Sequence, residues 1–544
     1  MGALLSCADV LQKDYRMFGR TKFGTLVAVL LVLIVAAFGS SRSFAQQETK
    51  TLVWGVVGSP RHLNPAVQSG VATMEPGAQI FASPLRVDDD WKMKPYLAES
   101  WSYSGDAKTL TLRVRSGAKF HDGQPITSAD FAFSIMAVKK YHPFQSMMAA
   151  VDSVDTPDPA TAVIHLSQPN PALLLALTPP FCPILPKHIY DDGQNLATHP
   201  RNADPVGSGP FKLVEFKPGE HIIMEKFNDF FIKDRPRLDR IVMRIFKDSN
   251  ALTLAVEAKE VNFVPFLAEP AQIDRLSDTK GVTVTAKGGK GIGPLIWIAF
   301  NLKQKPFDDV RVRQAISYMI DREFITKRLQ RGRSVIATGP ITPGSPYYNP
   351  DVERYKFNQP KAEELLDAAG LKKDAQGVRF KTTITYAPGG RDFTQNIAEY
   401  AKAQLKKVGI DLELTPTADF PSWAKKVSDQ DFDITMDAVF NWGDPMIGVN
   451  RTYLTSNIRK GVIWSNTQSY SNPRVDELLT KAAAESDQDK RIAMYKEFQS
   501  IVVSDAPIMF INVLPTTTAY DSRLKDIPTG IWGATSSIDE MHWE

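Results

Sequence analysis

The sequence predicts an α/β protein of more than one domain, and three observations predict it. At 544 residues the chain is too long for a single hydrophobic core and is sized for roughly two to four domains. Strand and helix patterns alternate through its second half: Ile384 to Tyr386, Ile397 to Val408 and Asp411 to Thr415 read as strand, helix and strand, with Gly409 stopping the helix. Hydrophobic and charged residues make up 43% and 23% of the chain, proportions that can fill such cores and leave a solvated surface.

Taken in order, the first 45 residues stand apart. Arg16, Arg20 and Lys22 precede an uncharged apolar run from Thr25 to Phe38, and Ser43-Phe44-Ala45 follows. Basic start, short apolar core and small-residue cleavage site predict a secretory signal peptide over residues 1–45, and Met17 is an alternative start that gives a more typical one. The run is short for a membrane span. Five of the 64 Lys and Arg and two of the 61 Asp and Glu lie in this segment, which leaves 59 of each sign. A neutral mature chain offers no general attraction to nucleic acid or anionic membrane. Cys7 falls in the same segment, so Cys182 is left alone and the expected fold has no internal disulfide. Cys182 lies among prolines and reads as a small buried filler.

Thr51 to Val57 is apolar and β-branched, a first strand broken by Gly58-Ser59-Pro60. Met74 to Leu85 has the apolar content of a short helix. Thr109 to Arg115 alternates as a half-buried strand, His121-Asp122-Gly123 is a turn, and Thr127 caps a helix with Asp130 in its first turn. Prolines punctuate residues 151–206. Phe211 to Phe216, His221 to Lys226 and Ile241 to Phe246 read as strands, Ala251 to Glu260 as a helix. Gly288 to Gly293 is a connector before the strand Leu295 to Asn301; it holds no complete GxGxxG and no helix follows it. Helical spacing places Val312, Ile316, Met319, Ile320 and Phe324 on one face, and Pro360 to Ala369 and Arg491 to Val503 are further helices. Pro507 to Leu514 is a late strand.

Several of these stretches, in this order, resemble the family 5 solute-binding proteins of ABC importers, the dipeptide-, oligopeptide- and nickel-type receptors. They are Leu97 to Ile135, with its Phe120-His121-Asp122-Gly123 turn; Pro183 to Ile189; Pro205-Val206-Gly207-Ser208-Gly209-Pro210-Phe211; Asn301 to Gln330, with Pro306-Phe307-Asp308-Asp309; and Tyr470-Ser471-Asn472-Pro473. The resemblance implies a two-lobed periplasmic binding protein type II fold with mixed sheets, two hinge strands and an extra inserted subdomain. Its expected divisions are lobe I in 46–79, 206–294 and 509–544, the inserted subdomain in 80–205, and lobe II in 295–508. The hinges are expected near Leu295 to Asn301 and Ile508 to Val513.

No chemistry of catalysis is written in the chain. Eight histidines are scattered without HExxH or another metal-ligand spacing, and there is no GxSxG and no Walker loop. The expectation is a binding protein with no cofactor and no metal. It takes a small peptide-like ligand, works as a monomer with the transmembrane permease subunits of an ABC importer, resides in a Gram-negative periplasm, and has no nucleic-acid partner. An opine, sugar conjugate or metal complex is the alternative ligand; a secreted hydrolase is the alternative from another class.

Ligand sites favour clefts with apolar walls and a few placed polar groups. The stretch with that composition is Ala438 to Tyr453. In peptide-binding members of the family a tryptophan here precedes, by a few residues, an aspartate that pairs with the ligand's α-ammonium, and an Asp-Pro pair comes after. This sequence has the shorter Trp442-Gly443-Asp444-Pro445, in which Asp444 matches the later pair, a departure from the peptide-binding pattern at the amine-binding carboxylate. Asn441, Trp442, Asp444 and Arg451 are the candidates here, Arg451 as a carboxylate clamp or a structural ion pair, Trp442 as a stacking surface or core. Trp464 is a further lining candidate or core. Gly58 and Ser59, just past the first strand, are candidates to meet the ligand through backbone N–H groups.

Overall fold

A computed structural model describes residues 50–387 and 394–544; the expected signal peptide lies outside the described residues. Residues from Lys50 onward form one compact unit. Two large mixed sheets and one smaller antiparallel sheet carry it.

The seven-stranded sheet has Thr51–Val57 at its centre, parallel to Arg240–Phe246 on one side and to Phe263–Leu267 on the other. His221–Lys226 and Phe211–Lys217 continue one edge, and Thr517–Asp521 and Val282–Thr285 the other, all antiparallel to their neighbours. The apolar run of Thr51–Val57 suits a central position covered on both faces. Gly55 is there because a Cβ would lie 2.3 Å from Leu252, which lets the helix Ser249–Glu257 press on the strand. Asp248 caps that helix by accepting from Ala251 N–H, two residues earlier than the helical spacing predicts.

The six-stranded sheet is ordered Val335–Ile336, Ile508–Val513, Pro294–Phe300, Ile434–Phe440, Phe380–Tyr386 and Ile410–Leu414. Its strand Pro294–Phe300 is buried throughout. By strand alternation Ile296, Ile298 and Phe300 enter one core with Ile316, Ile384 and Ile434, and Leu295, Trp297 and Ala299 enter another with Tyr495, Phe498 and Val502. The two segments expected as hinges pair with each other inside this sheet, Leu295 opposite Val513 and Ala299 opposite Ile508. The chain passes between the large sheets through residues 286–293 and 514–516. These crossings lie side by side, with Thr516 Oγ1 donating to Gly288 O at 2.8 Å.

The third sheet, of Ala98–Tyr103, Thr109–Val114, Thr161–Leu166 and Val151–Asp158, is antiparallel and packs the helix Ser128–Tyr141. The Asp130 carboxylate accepts from Thr127 N–H and, with its other oxygen, from Lys187 N–H, tying the Pro-rich segment to the helix start. His121 belongs to the turn but also reaches the chain's return at 207–211: its N–H donates to Gly207 O at 2.8 Å, its Nδ1 accepts from Gly207 N–H at 3.2 Å, and Nε2 lies 3.0 Å from Gly209 O. Gly207 and Gly209 are required by close approach, since a Cβ would stand 1.9 Å from Ile80 O and 2.3 Å from Gln79 O.

The helix expected over Met74 to Leu85 runs instead over Val71–Ile80, because Ser83-Pro84 turns the chain into the short strand Leu85–Val87. The long helical block after Asn301 is divided: Val310–Met319 ends before Asp321, which caps a second helical segment by accepting from the N–H groups of Glu323 and Phe324.

Candidate ligand cleft

The first strand and the strand Ile434–Phe440 belong to different sheets, yet their ends meet at one cavity. Val57 and Gly58 line it from one side and Phe440 from the other, and the Phe266 ring stands 6.4 Å from that of Phe440. The cavity holds about 310 Å³ and its walls are mostly apolar, with Glu75, Ser249 and Glu269 as the polar exceptions. Gly58 sits at its edge with φ 101°, a left-handed conformation that glycine takes without strain. Ser59 is turned to the loop between the strands Phe211–Lys217 and His221–Lys226, its Oγ accepting from Gly219 N–H at 3.0 Å.

From Phe440 a run of rings leads along the interface. Trp442 lies 5.5 Å from Phe440, Phe144 6.2 Å from Trp442, and the Arg451 guanidinium 4.4 Å above the Phe144 ring. Phe144 comes from the segment between the strands Thr109–Val114 and Val151–Asp158 of the third sheet and Arg451 from the second half of the chain, so a cation–π contact joins the two. Asp437 is the acid beside this run. Its carboxylate accepts from Trp464 Nε1 at 2.9 Å and from Ala438 N–H at 2.7 Å. Burial pushes its carboxyl up to about 7, against the pull of those two donors and of Arg451. Burial brings Arg451 down to about 10, and the attraction of Asp437 opposes that. Among the described ion pairs none joins the two: Arg451 Nε donates to Gly448 O at 3.1 Å, and acid and base remain apart. His142 is buried next to them, its Nδ1 accepting from Phe144 N–H while Nε2 has no partner. Burial and the Arg451 charge hold it neutral, down to about 3.

The stretch 441–448 crosses the interface. Trp442, Met446 and Ile447 pack into the core that includes Trp54, Phe181 and Trp532. Gly443 permits this with φ 75° and with Leu175, Trp532 and Trp91 crowding the place of a Cβ. Asn441 holds the 340–342 loop, donating to Pro340 O and accepting from Thr342 N–H. Asp444 caps Pro445–Gly448 through Met446 N–H and is otherwise taken up by Arg491, with Oδ2 2.7 Å from Nη1 and Oδ1 2.8 Å from Nη2.

Of the residues singled out by sequence, the structure thus brings Arg451 and Trp464 together around Asp437 and places Gly58 at the cavity. Asn441, Trp442 and Asp444 have their polar and apolar partners inside the protein, and Ser59 has its own in Gly219. The residues that sequence reasoning passed over are Glu75, Asp437, His142 and Phe440. Asp437 had one signal: it is the only charged residue in the apolar strand Ile434–Phe440. Glu75 had another, as the only charge in the helix Val71–Ile80. Among the described residues no group of three His, Cys, Asp or Glu is arranged to hold a metal ion.

Residues 92–460 match the profile of the bacterial extracellular solute-binding proteins, family 5 (middle section). The chain belongs to this family. It is 27% identical to the dipeptide-binding protein of Escherichia coli K12 over 515 residues, covering 89% of this chain and 92% of that protein. It is 26% identical to the oligopeptide-binding protein AppA of Bacillus subtilis over 519 residues, covering 90% and 92%. Among solved structures, the family 5 chain resembles AgaA of A. tumefaciens R10 in complex with agropinic acid, with TM-score 0.78, 27% identity and coverage of 91% and 99%. NikZ of Campylobacter jejuni in complex with Ni(L-His) shares the fold, with TM-score 0.80 at 24% identity and coverage of 90% and 97%. The two-lobed α/β architecture of these binding proteins is therefore that of this chain.

Proposed function

We propose that this family 5 protein captures a zwitterionic small molecule, a short peptide or another amino-acid derivative, in the cleft between its two lobes and passes it to the permease of an ABC importer from the periplasm. The observation that carries the ligand class is the separation of Asp437 from Arg451. Asp437 and Arg451 attract each other without a direct ion pair, and Trp464 and Phe144 stand beside them, so a ligand with an ammonium and a carboxylate can complete both. Closure around it removes water, which strengthens each of the few polar contacts. The reading needs no covalent chemistry from the chain. The dipeptide- and oligopeptide-binding relatives support it.

An opine is the second reading. Its support is the Trp442-Gly443-Asp444-Pro445 spacing, in which Asp444 is occupied by Arg491, together with the likeness to AgaA. Thermal-shift and calorimetric titration of the mature chain with di- and tripeptides, glutathione, opines and nickel–histidine separate the ligand classes. A micromolar ligand corresponds to about −8 kcal/mol and raises stability by about 2.7 kcal/mol at a hundredfold excess over Kd. Binding of a peptide abolished by both Asp437→Asn and Arg451→Met is the expected result. Binding only of uncharged sugars overturns the zwitterion.

A further inference from the structure

We propose that the cavity beneath Phe440 and Phe266 is a subsite for a cationic branch of the ligand, an alkylammonium or guanidinium on an apolar stem, with Glu75 as its anchor. The proposal rests on the cleft being the ligand site and adds to it a specificity that neither Asp437 nor Arg451 supplies.

Glu75 lies on the helix Val71–Ile80, whose residues from Thr73 onward are all buried. It is 2% exposed, it lines the cavity, and its Oε1 has no hydrogen-bond partner. An unpaired buried carboxyl is costly unless something else meets it. The surroundings restrict what that can be. Val56, Met243, Leu252, Phe266 and Phe440 form apolar walls, and among the described residues no Lys, Arg or His lines the space. The other polar wall is Glu269, which accepts from Ser249 Oγ at 3.0 Å. Two carboxyl groups lining a void, with no base among the described residues of its walls, match a positive charge and repel a negative one. At about 310 Å³ the void is at the small end of ligand pockets, which run to ~1,000 Å³. That is room for one side-chain-sized branch, with the rest of the molecule in the cleft beyond Phe440.

The same geometry makes capture of the cation expel a proton. Burial alone pushes the Glu75 carboxyl up to about 8, so the empty site is mainly protonated at pH 7. On the elements around it, Glu269 is the other acid of the cavity. Arg61 and His62 stand in the loop before the helix, and burial and Arg61 hold His62 below its ordinary value. None of these acts on Glu75 strongly enough to displace burial as the cause. A bound ammonium replaces the proton as the carboxylate's partner, and the proton leaves to solvent.

The test uses the mature chain with alanyl-lysine, alanyl-norleucine and n-pentylammonium as probes. Expected is at least tenfold tighter binding of alanyl-lysine than of alanyl-norleucine, with close to one proton released at pH 7, read from titrations in buffers of different ionisation enthalpy. Glu75→Gln, which keeps the shape and the neutral state, removes the preference and leaves the norleucine peptide unaffected. Equal binding of the two peptides, absence of proton release, or a preference surviving in E75Q overturns the subsite. If neither peptide binds, the peptide reading of the cleft fails, and n-pentylammonium decides the subsite alone. A thermal shift in the unsubstituted chain that E75Q loses supports it, and no shift overturns it. The proton measurement needs no variant, so a folding defect in E75Q leaves the proposal open to refutation.

Discussion

Asp444 and Arg491 grip each other through two parallel hydrogen bonds in the protein interior, with Arg491 only 1% exposed. Arg491 Nε is spent on Ala482 O, and Tyr347 lies against both partners. The pair fastens the interface segment 441–448 to the helix Gln488–Asp505. Removing one partner leaves a bare charge inside. Asp444→Asn should therefore cost about 3–5 kcal/mol, read as a lower denaturant midpoint at unchanged m-value. The ligand preferences of the folded fraction should stay as they were. A variant of normal stability that no longer binds would move Asp444 into the ligand's contacts.

Asp437→Asn and Arg451→Met should do the reverse. Neither breaks a direct ion pair, and Asp437→Asn keeps an acceptor for Trp464 Nε1, so melting temperatures should stay close to that of the unsubstituted protein. Affinity for a zwitterionic ligand should fall at least tenfold, about 1.4 kcal/mol per decade. Arg451→Met keeps apolar cover on Phe144, so the loss reports the charge and not the packing. Calorimetric titration alongside thermal melting reads both quantities.

The pH profile of stability follows from buried groups displaced in opposite directions. Glu75 is raised from 4.5 to about 8 and Asp437 from 3.8 to about 7, so the folded state holds protons that the unfolded state has released. Their contribution is complete at low pH and is lost as pH climbs through those folded values. His121 and His142 are lowered from 6.5 to about 4 and about 3 by burial, so the unfolded state binds the extra protons and stability is lost as pH falls below 6.5. The two trends oppose each other under pH 6.5, and only the loss from the carboxyls remains above it. Urea titrations should show stability falling between pH 6.5 and 8 by on the order of a few kcal/mol, with E75Q removing most of that slope. A rise across this interval would contradict the buried state of Glu75.

Gly207→Ala should destabilise the chain by about 3 kcal/mol or prevent folding, because its Cβ would fall 1.9 Å from Ile80 O, a backbone atom that cannot step aside. Gly105→Ala, where nothing lies within 4 Å of the new Cβ, is the control and should be nearly neutral. Equal melting temperatures for the two would show that the 207–209 loop can move away from the helix.

What was legible in the sequence was local. The turn at His121, the helix begun at Thr127, the glycine connector at 288–293 and the strand–helix alternation after Ile384 are each decided by residues a few positions apart. Together they order the family's landmarks along the chain. The cleft was less legible because its chemistry depends on distant partners. Asp444 stands two residues from a tryptophan, which draws attention to it, but its partner Arg491 is 47 residues away. Asp437 and Glu75 look like ordinary acids until the fold buries one beside Arg451 and the other beneath Phe440. Arg451 was visible by its residue type, yet the contact that positions it is Phe144, from the other half of the chain.

The glycine loop at 207–209 has a reach beyond its own neighbourhood. It presses on Ile80 and Gln79, the last turn of the helix that carries Glu75, and the Gln79 side chain runs on from there to Ser536 and Ile538 near the chain's end. The floor of the cavity thus hangs from two stretches of sequence that are not among its walls. A random screen for altered uptake should return changes at 207–209 and 536–538 alongside those in the cleft, and a lineage could retune what it imports by shifting a helix from behind while every contact residue stays the same.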